Sequence, residues 1–254
     1  MSAEAAQAIQ DGMISAFQSQ MQQVHTAIPC IVIAVRDGLS GQMVDIQPTI
    51  NQKSQDGTVA ERPAISGVPV SFPVSSTAGM TFPIKAGDTG MAIFSMRSMD
   101  AWKAGNGRTS TPTTFAKMDK GDAVFYPGIQ PPGVAVNNPS KHVLTHSTED
   151  TVMFANLGGV EAEVRIKAEG SIEINTSNMP VTINCSNAVV NATQSIDLNS
   201  PQLTVDCAST LWIGDVVQQG NWTQTGTYVL NTVNINLHKH VGVTTGNGVS
   251  GTMV

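Results

Sequence analysis

The amino-acid sequence predicts an all-β protein with a short N-terminal α-helix, in which a small barrel precedes an intertwined, trimeric (triple-stranded) β-helix. Three observations lead to this fold class. Only 13% of the 254 residues are charged and 5% are aromatic, while small polar residues are abundant. Short β-rich runs alternate with turn signals, and a unit of about eight residues repeats in the C-terminal half. The length favours more than one domain.

Residues 1–25 are predicted to form an amphipathic helix, which Pro29 prevents from continuing. The segment contains Glu4 and Asp11 but neither Lys nor Arg. We therefore expect its apolar face to pack on the protein itself rather than to lie on a membrane. The residues that recur at helical spacing on this face are Ile9, Met13, Phe17, Met21 and Val24.

Residues 26–135 are predicted to form a small closed barrel or sandwich. Apolar runs at 31–35, 42–46 and 91–94 are separated by turn signals of the Asp-Gly and Asn-Gly type. A five-stranded barrel of the oligonucleotide/oligosaccharide-binding (OB) type fits this pattern, although the pattern alone does not select it. Prolines and glycines at 128–140 predict a linker after the barrel.

Residues 136–237 are predicted to form the trimeric β-helix, because a short unit repeats within them. The clearest copy is Ile172-Glu173-Ile174-Asn175, and the Asn or Asp at its end recurs at spacings of nine, seven, eight and seven as far as Asp206. Units this short supply one face of a prism, and closure with identical neighbours covers the apolar side and pairs the strand edges. An ordinary β-sandwich with regular hairpins is the alternative.

The interior of this prism is predicted to be packed with apolar side chains that have no chemical role. Residues 214–232 break the period, and the sequence leaves their structure open. The side chains predicted to fill the prism are Val164, Ile166, Ile172, Ile174, Val181, Ile183, Ile196, Leu198, Leu203, Val205, Leu211 and Ile213.

A metal site is predicted at His238 and His240, in the apex formed by residues 238–254. Residues two apart on a strand project to the same side, so both imidazoles can face a threefold axis. Three chains would offer six nitrogens, which suit a six-coordinate first-row metal such as iron or nickel better than tetrahedral zinc. Continuing the alternation of the preceding apolar residues points Lys239 inward, so a bulge is needed before His238.

The other histidines and the cysteines are given structural interpretations. His25, His142 and His146 are interpreted as ordinary surface or boundary residues. An odd number of cysteines cannot pair completely within one chain, and we expect buried free thiols in a protein made in a reducing cytoplasm. These cysteines are Cys30, Cys185 and Cys207.

Several classes of function are excluded by composition and by missing motifs. The net charge is -6, and no basic stripe is present that would bind nucleic acid. Glu173, Asp197 and Asp206 fall singly on successive repeats, and no nucleophile triad or phosphate loop appears, so we expect neither an enzyme nor a small-molecule substrate. The chain has no signal-peptide pattern and no run of 18 apolar residues.

The order of these parts resembles the membrane-puncturing central spike proteins of contractile-tailed bacteriophages. Gly87-Asp88-Thr89-Gly90, leading through Phe94 to the segment 97–102, is similar to the characteristic segment of that family's N-terminal domain. His238-Lys239-His240 near the end is the stronger marker. Within the segment 97–102, we expect Arg97 and Asp100 to form a structural ion pair and Trp102 to be packed, in preference to contacts with another protein.

The resemblance implies a structural virion protein at the tail tip or baseplate. It implies one iron ion per homotrimer, held octahedrally by six histidines, two from each chain. It further implies a barrel that docks to the baseplate hub protein and a tip that pierces the host outer membrane. The prism could also hold calcium or chloride ions. Two alternatives stay open: a trimeric receptor-binding fibre and a tailspike that degrades envelope polysaccharide. For the fibre, only Trp212, Trp222 and Tyr228 offer aromatic surface in the repeats.

Overall fold

The computed structural model describes residues 3–21, 24–36, 43–54, 56–105 and 107–235. In this part the protein is mostly β-structure with little helix, which confirms the all-β prediction at that level. The chain divides into two compact units, Met1–Asn184 and Cys185–Val254. The finer division into barrel, β-helix and apex remains a prediction.

The first unit begins with helix α1 (Ala3–Met21), which confirms the predicted N-terminal helix. Every described residue of α1 is exposed, including Phe17 at 66% and Met13 at 69%. Packing of this apolar face against the same chain, which the sequence favoured, is therefore not observed.

A curled antiparallel sheet follows α1. The elements of this region, in chain order, are β1 (Ala27–Arg36), β2 (Met43–Pro48), β3 (Gln52–Lys53), β4 (Val59–Ala60), β5 (Ile65–Pro69), β6 (Thr89–Phe94), the short helix α2 (Asp100–Lys103) and β7 (Ala123–Pro127). Among the described residues the sheet has five strands in the order β5-β2-β1-β6-β7, and β3 and β4 form a separate small hairpin.

Strict alternation along the strands builds the core of this sheet. In β2, Val44 and Ile46 are buried while the intervening Asp45 is not, as the period of two requires. The buried apolar residues form one cluster. It consists of Cys30, Val32, Val44, Ile46, Ile65, Val68, Ile84, Ala92, Phe94, Ala123 and Phe125.

The sheet curls until its two edge strands approach each other. Val70, just after β5, forms a parallel bridge with Phe125 of β7, and the Ser71 N–H donates to the Phe125 carbonyl at 2.8 Å. This half-barrel agrees with the predicted barrel, whereas the assignment to the OB type stays a prediction. The linker predicted at 128–140 contains short 3₁₀ helices at Pro132–Val134 and Pro139–Lys141.

A smaller antiparallel sheet completes the described part of the first unit. It consists of β8 (Thr151–Ala155), β9 (Ala162–Ile166) and β10 (Ile172–Thr176), in the order β10-β9-β8. The turn between β9 and β10 closes through the Lys167 N–H and the Ser171 carbonyl at 2.9 Å. Gly170 in this turn has a φ of +93°, a conformation that favours glycine.

The described part of the second unit, residues 185–235, contains little regular structure in the single chain. Near the end of this part, β11 (Val229–Leu230) and β12 (Val233–Asn234) form a hairpin. The hairpin begins within residues 214–232, the stretch in which the repeat is interrupted. Cys185 and Cys207 are exposed, so the expected burial of the thiols is confirmed only for Cys30. In the described ranges, no helix is long and apolar enough to cross a membrane.

Candidate functional site

The predicted metal ligands His238 and His240 lie outside the described residues, as does Lys239 with its unfavourable position in the strand alternation. Within the described ranges, no group of three or more His, Cys, Asp or Glu side chains is arranged to hold a metal ion. Among the described residues, the candidate functional surface is the sheet β8–β10.

One face of this sheet is apolar and exposed. The strand register places Val164 opposite both Met153 and Ile174, and it places Ile166 opposite Ile172. These side chains are between 41% exposed, at Val164, and 68% exposed, at Ile172. Together they form a contiguous patch of five side chains, which we call the assembly face: Met153, Val164, Ile166, Ile172 and Ile174.

The opposite face of the same sheet is charged and buried. Glu163 is 4% and Arg165 is 5% exposed, and the two side chains form an ion pair at 2.7 Å. Asp150 lies 3.8 Å from Arg165, and the Asn175 side chain donates to Glu163 at 3.0 Å. The sheet therefore reverses the usual arrangement, in which the apolar face is buried and the polar face meets solvent.

A pair of stacked histidines covers the charged face. The rings of His142 and His146 lie 3.8 Å apart between centroids and only 4° from parallel, and Phe154 of β8 meets the His142 ring edge-on at 5.0 Å. The His142 side chain is 1% exposed. The interpretation as surface or boundary residues is therefore wrong for the His142 side chain, whereas His146 is half-buried, as expected of a boundary residue. The spacing of four residues between them did not predict the ring stacking, because the segment is not helical.

Glu161 anchors the covering segment. The N–H groups of Val143 and Leu144 each donate to its Oε2 at 2.8 Å, and the Gly158 N–H donates to its Oε1 at 3.1 Å. Burial alone would raise the pKa of Glu161, but these backbone donors, helped by the nearby His142, hold that pKa below the ordinary 4.5.

His142 and His146 differ in their surroundings. The Nε2 of His142 lies 2.8 Å from the Val136 carbonyl, and its Nδ1 lies 3.3 Å from Glu161. The Nδ1 of His146 is buried without a hydrogen-bond partner in the structure. Burial, followed by the neighbouring His142 and Arg165, lowers the pKa of His146 below 6.5.

The repeats continue the apolar pattern into the second unit. Beginning just before the unit boundary, the apolar side chains predicted to fill the prism are all exposed in the single chain, from 57% at Val181 to 91% at Ile213. Trp222 and Tyr228, aromatic residues that a receptor-binding fibre could use, are exposed and line a shallow groove with Val216.

The residues quoted from the segment 97–102 do not form the contacts expected of them. Asp100 accepts a hydrogen bond from the Ser98 hydroxyl at 3.3 Å, and in the described part of the chain no ion pair links it to Arg97. Trp102 is 43% exposed, so the prediction of a packed aromatic is wrong. The segment is held instead by Asp122, which is buried and accepts from the Met99 N–H at 2.7 Å.

The three acidic residues of the repeats differ in their local contacts and exposure. Glu173 is half-buried and forms an ion pair with Lys167 at 2.5 Å. Asp197 accepts from the Ser195 hydroxyl at 3.3 Å, and Asp206 is exposed. A glycosidase of the usual kind needs two carboxylates that flank one bond, and the expectation that the chain is not an enzyme stays a prediction.

A contiguous row of exposed apolar side chains is typical of a surface that contacts another molecule. Comparison with known protein families indicates that the chain is a phage protein. Residues 28–128 match the family described as the phage protein Gp138 N-terminal domain. The matched range covers the curled sheet β1–β7 and supports a phage structural protein, a component of the virion. No curated protein matches the chain significantly.

Proposed function

We propose that the protein is the homotrimeric central spike of a contractile phage tail, a non-enzymatic needle that pierces the host outer membrane. The observation that carries the proposal is the reversed sheet β8–β10, whose apolar face is exposed while Glu163 and Arg165 are buried behind it. The similarity of residues 28–128 to a phage protein domain supports the viral context.

The assembly face needs a partner for energetic reasons. Complete burial of a Val, Ile or Met side chain is worth about 1.5–3 kcal/mol relative to exposure, so covering five half-exposed ones would stabilise the chain by roughly 5 kcal/mol. Identical chains are the natural cover, because the same apolar pattern recurs along the repeats at near-constant spacing. Three copies about one axis would cover these faces and pair the free strand edges.

The tip is the second part of the proposal. Two histidines per chain at His238 and His240 would give six imidazoles at the axis of a trimer, and we assign this set to one iron ion. Support comes from the spacing of the histidines and from the resemblance to spike proteins. Metal ligation there would tie the three chain ends together, where fraying would otherwise begin.

The mechanism would be mechanical. Sheath contraction would drive the spike forward, and strands wound around each other would resist unfolding because each chain is paired to its neighbours. The barrel would dock to the baseplate hub protein, so that force reaches the tip through the prism. No nucleic acid, small-molecule substrate or catalytic group takes part.

Sedimentation velocity and native mass spectrometry of the full chain test the assembly. We expect a trimer for the unaltered protein and loss of the trimer for Ile174→Asp, because a carboxylate on the assembly face would have to be buried without a partner. Val59→Asp is the matched control, since Val59 in β4 is 59% exposed and Ile174 is 60% exposed.

The control should remain trimeric and fold normally. A stable monomer for the unaltered protein would refute the trimeric spike. A trimer that persists in Ile174→Asp would show that trimer formation does not depend on the assembly face.

A further inference from the structure

The stacked histidines have no part in the proposed spike mechanism, yet the His142 side chain is only 1% exposed and the Nδ1 of His146 is buried. They cover the charged face of β8–β10 on the side away from the assembly face. We propose that His142 and His146 form an acid-sensitive latch, in which protonation of His146 loosens the cover over the sheet β8–β10. The contacts involved lie within one chain, so the latch does not depend on the trimer.

A proton on His146 would place a positive charge on a ring that lies parallel to the His142 ring, with 3.8 Å between the two centroids. The Nδ1 of His146 is buried and has no hydrogen-bond partner in the structure, so this charge would be poorly solvated. Burial and the neighbouring groups therefore disfavour the protonated ring.

The remaining charged groups around His146 do not remove this penalty. Glu163 and Asp150 face the site from β9 and from the loop before β8, but both are already paired with Arg165. Arg165 adds a positive charge of its own beside the rings. The covering segment contributes His142, whose Nδ1 lies 3.3 Å from Glu161.

The direction of the pH effect follows from these surroundings. In the unfolded chain His146 takes up a proton below its ordinary pKa of 6.5, whereas the folded site holds the pKa of His146 lower. The stability that the neutral ring contributes is therefore fully present above 6.5 and is lost as the pH falls below it. Glu161 stays ionised down to its own lowered pKa, below 4.5, so a change in stability between pH 6.5 and pH 4.5 does not come from that carboxylate.

Amide hydrogen exchange of the full chain at about pH 7.5 and about pH 5, corrected for intrinsic exchange rates, tests the latch. Peptides covering residues 151–176 should lose roughly tenfold in protection at the lower pH, as expected for one proton excluded from the folded state. His146→Phe keeps a stacked ring that cannot be protonated, and it should reduce this loss to less than about threefold. His25→Gln removes a titrating histidine next to the curled sheet and should leave the response of 151–176 unchanged.

Unchanged protection in the natural chain, or an equal loss in His146→Phe, would overturn the latch. If His146→Phe fails to fold, deuterium uptake at the ring carbon of His146 in the natural chain gives its pKa directly. A pKa at or above 6.5 would also overturn the inference, whatever the state of assembly.

Discussion

Gly90 shows at the scale of a single residue how the curled sheet depends on close packing. It lies in β6 opposite Pro127 of β7. A Cβ at this position would overlap the Tyr126 carbonyl oxygen and lie 2.5 Å from a ring carbon of Phe125. Phe125 is fully buried, so its ring has little room to move.

Gly90→Ala should therefore lower the free energy of unfolding of the sheet β1–β7 by about 1–3 kcal/mol, the usual cost of overpacking a core. Chemical denaturation followed by intrinsic fluorescence measures this change. Gly133→Ala is the control, because its Cβ would meet nothing within 4 Å. Equal stability of the two variants would show that the strands can separate without cost.

At the scale of elements, β9 contributes side chains to both faces of the reversed sheet. Arg165 is the cation of its buried charged face, and it lies beside Glu163 and Asp150. Removing one partner of a buried ion pair leaves an uncompensated charge, which is more costly than replacing the whole pair by apolar groups.

Arg165→Met should accordingly destabilise the first unit by about 3 kcal/mol, whereas the double variant Glu163→Leu/Arg165→Met should recover part of that loss. A double-mutant cycle from thermal unfolding gives the coupling between the two side chains. Glu169→Gln, a change to an exposed acid in the turn after β9, is the control and should be nearly neutral. Additive effects would mean that the pair is not coupled.

Sequence patterns predicted the elements better than their surroundings. The helical spacing from Ile9 to Met21 and the alternation in β2 and β10 identified elements that the structure confirms, because these periods follow from local geometry. The sequence also marked Ile172 and Ile174 as one apolar row. It did not reveal that the opposite row would be buried under His142, because that cover depends on a loop with no periodic signal.

The exposed helix α1 illustrates the same limit. The spacing of its apolar residues predicted an apolar face but not the surface on which that face packs. A stripe of apolar side chains indicates that the face is to be buried, without indicating what covers it. The Arg97 and Trp102 expectations failed for a related reason. They rested on the general rarity of functional surface residues, whereas the backbone of this segment is held by Asp122, which lies more than twenty positions from Met99.

At the scale of the whole molecule, a trimer would connect features that are unexplained in one chain. It would cover the assembly face and the exposed apolar side chains of the repeats, and it would bring His238 and His240 into a set of six. The tip of a single chain offers only two imidazoles, too few to complete the coordination of a first-row metal. Metal content therefore reports on the assembly as well as on the tip.

The purified protein should contain about one iron atom per three chains, measured by inductively coupled plasma mass spectrometry on the sedimenting trimer. His238→Ala/His240→Ala should lose the iron and unfold at a lower temperature, because metal bound only by the folded trimer stabilises it. His25→Gln should keep both, since it removes a histidine from the curled sheet and not from the tip. Equal iron in the double variant and the natural chain would mean that the metal is held elsewhere, and the tip would then have to be stabilised by packing alone.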